Sequence, residues 1–585
     1  MSAPESPPSV ADPPSTESEV PTDRMAAAQV LAFARLLEPQ YLLMVFSAVG
    51  IIWLGAHGAL RRPPSAAPPK LKTGQKRQRE EKFAEGLVAS DVIRFPLLLA
   101  AVLVGLYYLI QWLQDPTMLN KILRGYMSTM SIAGLATLMG DALNILTSSV
   151  FPAMWADSSG RVYHIDSHRC CQYVANKETG KETVIKKKET PLPGRLSNWV
   201  PSKAVKAFLW EIRNLVTEEW TVKIVVYGKS LVKVDLRATD VARFSIAGAV
   251  AVAYHLTSSD AMSNFLSMAM CYSSFRMFSP TSFTIGSMVL VSLFVYDVVM
   301  VFYTPYMITV AKTIDAPIKL VFTSATGASM LGLGDIVVPG MMMALALRFD
   351  SYQHYQRKVK LEPIELATTT TSSSSTDPNQ TSIPETNDEA TTTTTTTTTS
   401  DRRIKATYTD TLGQWGNRLW ISPRGRLPAD DDEAADAVAA TAFPKPYFHA
   451  SVAGYTVGLL VTLAVMLASG HGQPALLYLV PGVTGALWLT GLVRGELGDM
   501  WVYTEDGSLD TEEVVVEVDG EGRVVGEKEG GKQEGEEKKG DGEKGEETQG
   551  DEKKGDGEEK EKGPADKLHL FMLSVTAPRT TTAIL

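Results

Sequence analysis

Three cysteines in 585 residues, two of them adjacent at Cys170 and Cys171, exclude a disulfide framework, so nothing in the chain requires an oxidising compartment to fold. The same scarcity weakens a metal site. "HIDSHRCCQ" (164–172) offers His164, His168, Cys170 and Cys171, but adjacent cysteines lack the usual zinc-ligand spacing, and no metal or other cofactor is expected. The stretch from Met1 to Arg24 is Pro/Ser-rich and acidic and lacks the basic region and apolar core of a cleavable signal. The first apolar block, near 41–58, is therefore expected to be a retained span that also targets the chain. Charge is scarce along much of the sequence: the 44% apolar residues gather in blocks, and the 21% charged residues gather in tails and loops. Blocks of roughly 18 or more nearly uncharged residues imply helices that cross a bilayer. The net charge of −10 accompanies a Glu/Lys/Gly-rich C-terminal tail and says little about a ligand; no nucleic-acid partner is expected.

Nine blocks qualify as spans, at about 41–58, 95–114, 128–149, 244–258, 261–278, 284–308, 327–347, 450–469 and 474–493. The fold class expected is an all-α polytopic membrane protein with nine transmembrane helices. Residues 1–40 read as a disordered N-terminus, 41–149 as spans one to three, and 150–243 as a polar loop. Within that loop "WTVKIVVYGKSLVKVDL" alternates as a small β-element would. Residues 244–349 hold spans four to seven, 350–449 a disordered Thr-rich insert, 450–493 spans eight and nine, and 494–585 a disordered acidic and basic tail. The run Thr391–Thr399 and the repeated "EKKGDGE" at 537–543 and 552–558 offer no apolar face to bury.

Orientation follows from lysine and arginine placement. The loop after the first span carries Arg61, Arg62, Lys70, Lys72, Lys76, Arg77, Arg79, Lys82 and Arg94, which makes it cytosolic and the N-terminus lumenal. Nine spans then put the C-terminus in the cytosol, with Arg348, Arg357, Lys358 and Arg494 on the same side. Lys121, Arg124, Lys312 and Lys319 fall on the lumenal side.

Two of the spans contain a carboxylate, Asp297 in "SLFVYDVVMVF" and Asp335 in "MLGLGDIVVPGMMMALAL". Asp297 follows Thr284, at the cytosolic start of the sixth span, by the same interval that separates Asp335 from Arg348, at the cytosolic end of the seventh. At about 1.5 Å per residue both acids sit roughly 20 Å below that boundary. A central Asp costs about 2.5–3.5 kcal/mol on insertion scales and marks function by default. Neither span supplies a Lys or Arg at that depth. Two neighbouring carboxyls in low dielectric share a proton and titrate as a coupled pair, which is the state aspartyl proteolysis needs. Gly332 and Gly334, flanking Leu333, remove side chains beside Asp335 so that a helix or an extended peptide can approach. Tyr296 can lend a hydroxyl next to Asp297. Pro474, ahead of Ala475 and Leu476, removes a donor and makes the start of the ninth span irregular, where freed backbone groups could pair with a substrate strand. Asp141 and Asn144, one turn apart in the third span, read as an interhelical contact.

Together "YD" (296–297), "GLGD" (332–335) and "PAL" (474–476) resemble the signature set of the intramembrane aspartyl proteases, and among them the signal peptide peptidase family. "VAKTIDAPIKLVF" (310–322) and "QPALLYLVP" (473–481) extend the resemblance, which is strong over about 284–350 and 470–500 and absent from the tails and the Thr-rich insert. It implies a presenilin-like fold of nine spans in the endoplasmic reticulum membrane. Presenilin itself shares the motifs in the opposite orientation, and the lumenal N-terminus read from charge favours the signal peptide peptidase branch. The resemblance implies cleavage of remnant signal peptides and type II transmembrane segments within the bilayer, with Asp297 and Asp335 catalytic. Tyr296, Gly332, Leu333 and Gly334 would shape the site, and Pro474, Ala475 and Leu476 would position substrate. Partners implied are these substrates, the lipid bilayer, and a homo-oligomer or membrane quality-control proteins. Pro305, near the lumenal end of the sixth span, departs from the family's smoother helix, and "TTTAIL" carries no KDEL-type or dilysine signal. The competing reading is a proton- or ion-coupled transporter, which also uses midplane carboxylates but does not call for GLGD or PAL.

Overall fold

The computed structural model describes residues 37–68, 85–370 and 394–509, apart from 114–115, 168, 176–181, 186–187, 200–201, 219, 227–228, 258, 315, 325–326, 422–431 and 471; beyond 509 it describes short strands at 515–518, 524–528 and 571–576. The expectations for residues 1–36, for most of the Thr-rich insert and for the repeated "EKKGDGE" lie outside the described residues.

Among the described residues, nine long helices fall where the apolar blocks lie. They are α1 (Pro39–Gly58), α2 (Asp91–Leu113), α3 (Pro116–Val150), α4 (Ala238–Thr257), α5 (Asp260–Met277), α6 (Phe283–Phe302), α7 (Leu333–Gln356), α8 (Pro446–Ser469) and α9 (Leu476–Arg494). Six of the nine positions are long and apolar enough to cross a membrane: α1, α2, α3, α6, α8 and α9. The other three carry polar residues that lower their hydropathy, such as Asp240 and Arg243 in α4 and Asp335, Arg348 and Asp350 in α7. The architecture is that of a helical multi-pass membrane protein.

Two span boundaries differ from expectation. The seventh was expected over 327–347, but Gly327–Gly332 is a strand paired antiparallel with Lys319–Ser324, and the helix begins at Leu333. A short apolar run such as Met330-Leu331 reads alike as strand or helix, so hydropathy could not separate them. The sixth was expected over 284–308, but α6 stops at Phe302 and a short helix, Tyr306–Thr313, follows Pro305. Proline lacks the amide hydrogen that would continue the ladder and disfavours helix in the residue before it.

The segments expected to be disordered are partly folded. In the insert, α7 continues to Gln356, Lys360–Thr370 pairs with Thr394–Ile404, and helices form at Thr411–Ile421 and Asp432–Thr441. The first of these docks on the end of α3: the Trp420 indole donates to the Ser149 carbonyl (2.8 Å), and Asn417 accepts from the Ala153 amide (2.8 Å). Apolar Trp415, Trp420 and Ile421 supply the face that the Thr-rich stretch lacks. In the C-terminal tail, Leu497–Val502 is helical and the chain folds back as far as Glu505. The alternating stretch at 220–236 does form an antiparallel pair, Trp220–Val226 with Lys229–Leu236, while a four-stranded sheet at 154–184 completes the polar loop.

The core is built around α7. From Ile336 to Ser351 nearly every residue is buried, and α7 touches α1, α5, α6, α8 and α9. By contrast α2 buries none of its residues and stands at the edge. Lipid is as apolar as leucine, so such helices associate by close packing rather than by expelling water. The α8/α9 pair shows how: a Cβ on Gly454 would lie 2.2 Å from the Gly482 carbonyl oxygen, and one on Gly458 would lie 2.8 Å from that of Tyr478. Only glycine permits this approach.

Candidate active site

The two carboxylates are set at one depth by the packing of α6 against α7. The Phe283 and Phe349 rings meet edge-on with centroids 5.3 Å apart, and both contact the Tyr503 ring. Arg348 also bonds to the Ser279 hydroxyl just before α6. Asp297 is fourteen residues beyond Phe283 and Asp335 fourteen residues before Phe349, on antiparallel helices. Both therefore sit about 21 Å from the aromatic contact. The two helices are in contact, so the acids stand at matching depth on neighbouring elements.

Each carboxylate is held by a different motif. Asp297 is 3% exposed, and its Oδ2 accepts a hydrogen bond from the Leu476 amide at 3.0 Å. That amide is one of the first N–H groups of α9, which have no partner within the helix. The irregular residues 472–474, ending at buried Pro474, and the helix start at Ala475 aim it inward. A bond of this kind to a charged acceptor contributes about 1.5–3 kcal/mol.

Asp335 lies in the first turn of α7, not at mid-helix, because the preceding residues are strand. Its carboxylate turns back to the amide of Gly332, the residue that caps the helix. This is the reciprocal half of a capping box, with the acid at the third helical position. A Cβ on Gly332 would lie 3.3 Å from the Asp335 Oδ2, tighter than ordinary contact. Gly334, by contrast, is exposed, and a Cβ added there would meet nothing within 4 Å. Leu333 packs on the core while its amide bonds to the Ile318 carbonyl at 3.1 Å.

Tyr296 is half-buried beside Asp297, and among the described residues no hydrogen bond joins its hydroxyl to either carboxylate. Sequence reasoning missed Tyr455. Fully buried on α8, its hydroxyl donates to the Asp335 backbone carbonyl at 3.3 Å. The one available signal was a tyrosine inside "GYTVG", between the two glycines that let α8 approach α9. Asp141 makes the interhelical contact expected of it, accepting from the Tyr272 hydroxyl and from Arg276, both at 2.6 Å. His164 stacks on Tyr173, Cys170 is exposed, and among the described residues no group of three or more potential metal ligands converges.

The arrangement offers two carboxylates at one depth on neighbouring helices, the placement that acid and base roles on a shared water require. A family model described as "Signal peptide peptidase" matches residues 78–507. Among curated relatives, intramembrane protease 2 of Caenorhabditis elegans is 28% identical over 298 residues, covering 49% of this chain and 48% of the relative. Human signal peptide peptidase is 27% identical over 290 residues, 48% of this chain and 54% of the relative. A probable intramembrane protease of Schizosaccharomyces pombe is 43% identical over 123 residues, 20% of this chain and 41% of the relative. The chain thus spans about half the length of the curated relatives it matches first. No solved structure matches.

Proposed function

The chain belongs to the signal peptide peptidase family, and we propose that it is an intramembrane aspartyl endopeptidase acting through Asp297 and Asp335. The observation that carries this reading is the hydrogen bond from the Leu476 amide to Asp297, which joins the PAL and YD motifs 179 residues apart. The GLGD acid lies at the same depth on α7, which packs against both α6 and α9. A transporter needs no such meeting.

In the mechanism, one carboxylate is ionised and takes a proton from water. The oxygen of that water attacks the scissile carbonyl carbon, and the protonated carboxyl donates to the amide nitrogen as the C–N bond breaks. The open space at Gly334 suits an extended peptide backbone, and Tyr455 and Gly332 hold Asp335 from two sides. The substrates proposed are remnant signal peptides and type II transmembrane segments. The membrane proposed is that of the endoplasmic reticulum, with the N-terminus lumenal and the C-terminus cytosolic. Arg357, Lys445 and Arg494 gather at one end of α7, α8 and α9, which supports that orientation.

The test is cleavage of a signal-peptide-like segment by the purified full chain in detergent, read by product mass. Asp297→Ala and Asp335→Ala should each abolish cleavage while leaving a monodisperse protein. Undiminished cleavage by either variant would sink the aspartyl reading.

A further inference from the structure

We propose that a second site, a cavity between the ends of α7, α8 and α9, binds the phosphate-bearing headgroup of an anionic membrane lipid. The cavity holds about 370 Å³, within the roughly 300–1,000 Å³ of small-molecule sites. Its walls are Gln353, His354 and Arg357 at the end of α7, Lys445 at the start of α8, and Arg494 at the end of α9, with Asp350 beneath. Asp350 lies fifteen residues from Asp335 on the same helix, about 22 Å away. The cavity is therefore separate from the carboxylate pair.

The charge balance favours an anion. Arg357, Lys445 and Arg494 face a single lining carboxylate among the described residues, Asp350, whose oxygens are already engaged by the Tyr447 and Phe448 amides at 3.3 and 3.0 Å. Glu496, just outside, binds Arg494 through two bonds of 2.9 and 3.1 Å and reaches Arg357 at 3.4 Å, still leaving a cationic excess. The Lys445 ammonium donates to His57 Nε2 at 2.9 Å, a neutral acceptor. Burial, reinforced by the Arg418 charge and opposed by Asp350, pushes Lys445 down to about 8, and an incoming phosphate would offset that burial. His354 Nε2 is buried at the cavity wall with no hydrogen-bond partner among the described residues. Arginine forks and lysine points are the side chains that recognise phosphate.

A lipid suits the place better than a free ion. Arg494 follows directly on Leu489, Leu492 and Val493, which are 60%, 61% and 78% exposed and offer acyl chains an apolar surface. Nearby Trp488 and Trp501 pair at 6.2 Å, and Trp501 is largely exposed, as in the aromatic belt at headgroup level. Bound there, one phosphate would tie the helix carrying GLGD to the helix carrying PAL.

The test uses the purified full chain in detergent and a fluorescent short-chain phosphatidylinositol phosphate, followed by anisotropy. Binding should saturate and be displaced by the unlabelled lipid, but not by phosphatidylcholine or inorganic phosphate at the same concentration. Lys445→Gln with Arg357→Gln should weaken it at least tenfold, and Lys203→Gln, outside the cavity, should leave it unchanged. Lys445→Arg, which keeps the charge, should bind within about threefold of wild type, and this contrast with Lys445→Gln decides the matter if the double variant fails to fold. Unchanged affinity in the glutamine variants overturns the proposal. So does equal displacement by phosphatidylcholine, or by inorganic phosphate, which would assign the cavity to a soluble anion.

Discussion

Gly454→Ala places one methyl group where α8 meets α9, far from any reacting atom, and should nonetheless disable the site. The new Cβ would lie 2.2 Å from the Gly482 carbonyl oxygen, 2.9 Å from its carbonyl carbon and 2.9 Å from the Ala486 Cβ. None of these atoms is the end of a flexible side chain, so a helix must move. Restoring ordinary carbon–oxygen contact requires a displacement of about 1 Å, since C···O contacts below about 3.3 Å are repulsive. If α9 yields, the Leu476 amide leaves its 3.0 Å bond to Asp297; if α8 yields, Tyr455 leaves its 3.3 Å bond to the Asp335 carbonyl. Either movement changes how the two carboxylates face each other, and a misplacement of about 1 Å of this kind costs on the order of 10²-fold in rate. The assay is cleavage of a signal-peptide-like segment in detergent, with thermal unfolding as a check on folding. Gly485→Ala is the control, because its Cβ would meet nothing within 4 Å on the same α9. The reasoning fails if a folded Gly454→Ala protein cleaves within twofold of wild type.

Tyr455→Phe removes one buried hydrogen bond to the Asp335 backbone, worth about 1 kcal/mol. A drop of several-fold in kcat with KM unchanged is expected, and a change confined to KM would contradict a positioning role. Glu505→Gln leaves Arg348 without its partner at 2.8 Å, where the two side chains are only 4% and 7% exposed, and Arg61 loses the same carboxylate. Breaking such a buried pair costs about 3–5 kcal/mol, so thermal unfolding in detergent should shift down clearly; a loss below about 1 kcal/mol would mean water reaches the cluster. Burial alone would raise the Glu496 carboxyl, but hydrogen bonds from Arg494, Gln353 and Tyr447 outweigh it and hold it at about 2, against an ordinary 4.5. Because the folded value is depressed, its contribution is complete above about pH 4.5 and fades as pH falls toward 2. Unfolding profiles of wild type and Glu496→Gln should therefore converge over that window, and parallel curves would exclude the linkage.

Most of the candidate site was legible because the chemistry is unusual where it stands. An acid among valines is conspicuous in any apolar run, and Asp297 and Asp335 needed no structure to be singled out. Helix positions were legible for the same reason, since bilayer thickness sets the length of an apolar block. The strand at Gly327–Gly332 was not, because a short run of apolar and small residues carries no period that separates strand from helix. Nor was the folding of Thr411–Ile421 and of the chain to Glu505, whose apolar or charged faces are stabilised only by partners distant in sequence. Tyr455 escaped notice because a single hydroxyl on an apolar helix has meaning only once its acceptor is known.

By itself the sequence determined that the chain crosses a membrane, which residues carry ionisable groups into it, and that three motifs occur in order. The tertiary structure decided that PAL meets YD. Asp297 receives its hydrogen bond from Leu476 because α8 and α9 touch through glycines and α6 and α7 lock through Phe283 and Phe349. Those contacts depend on shape complementarity between distant surfaces, a property of the packed chain that no local pattern of residues encodes.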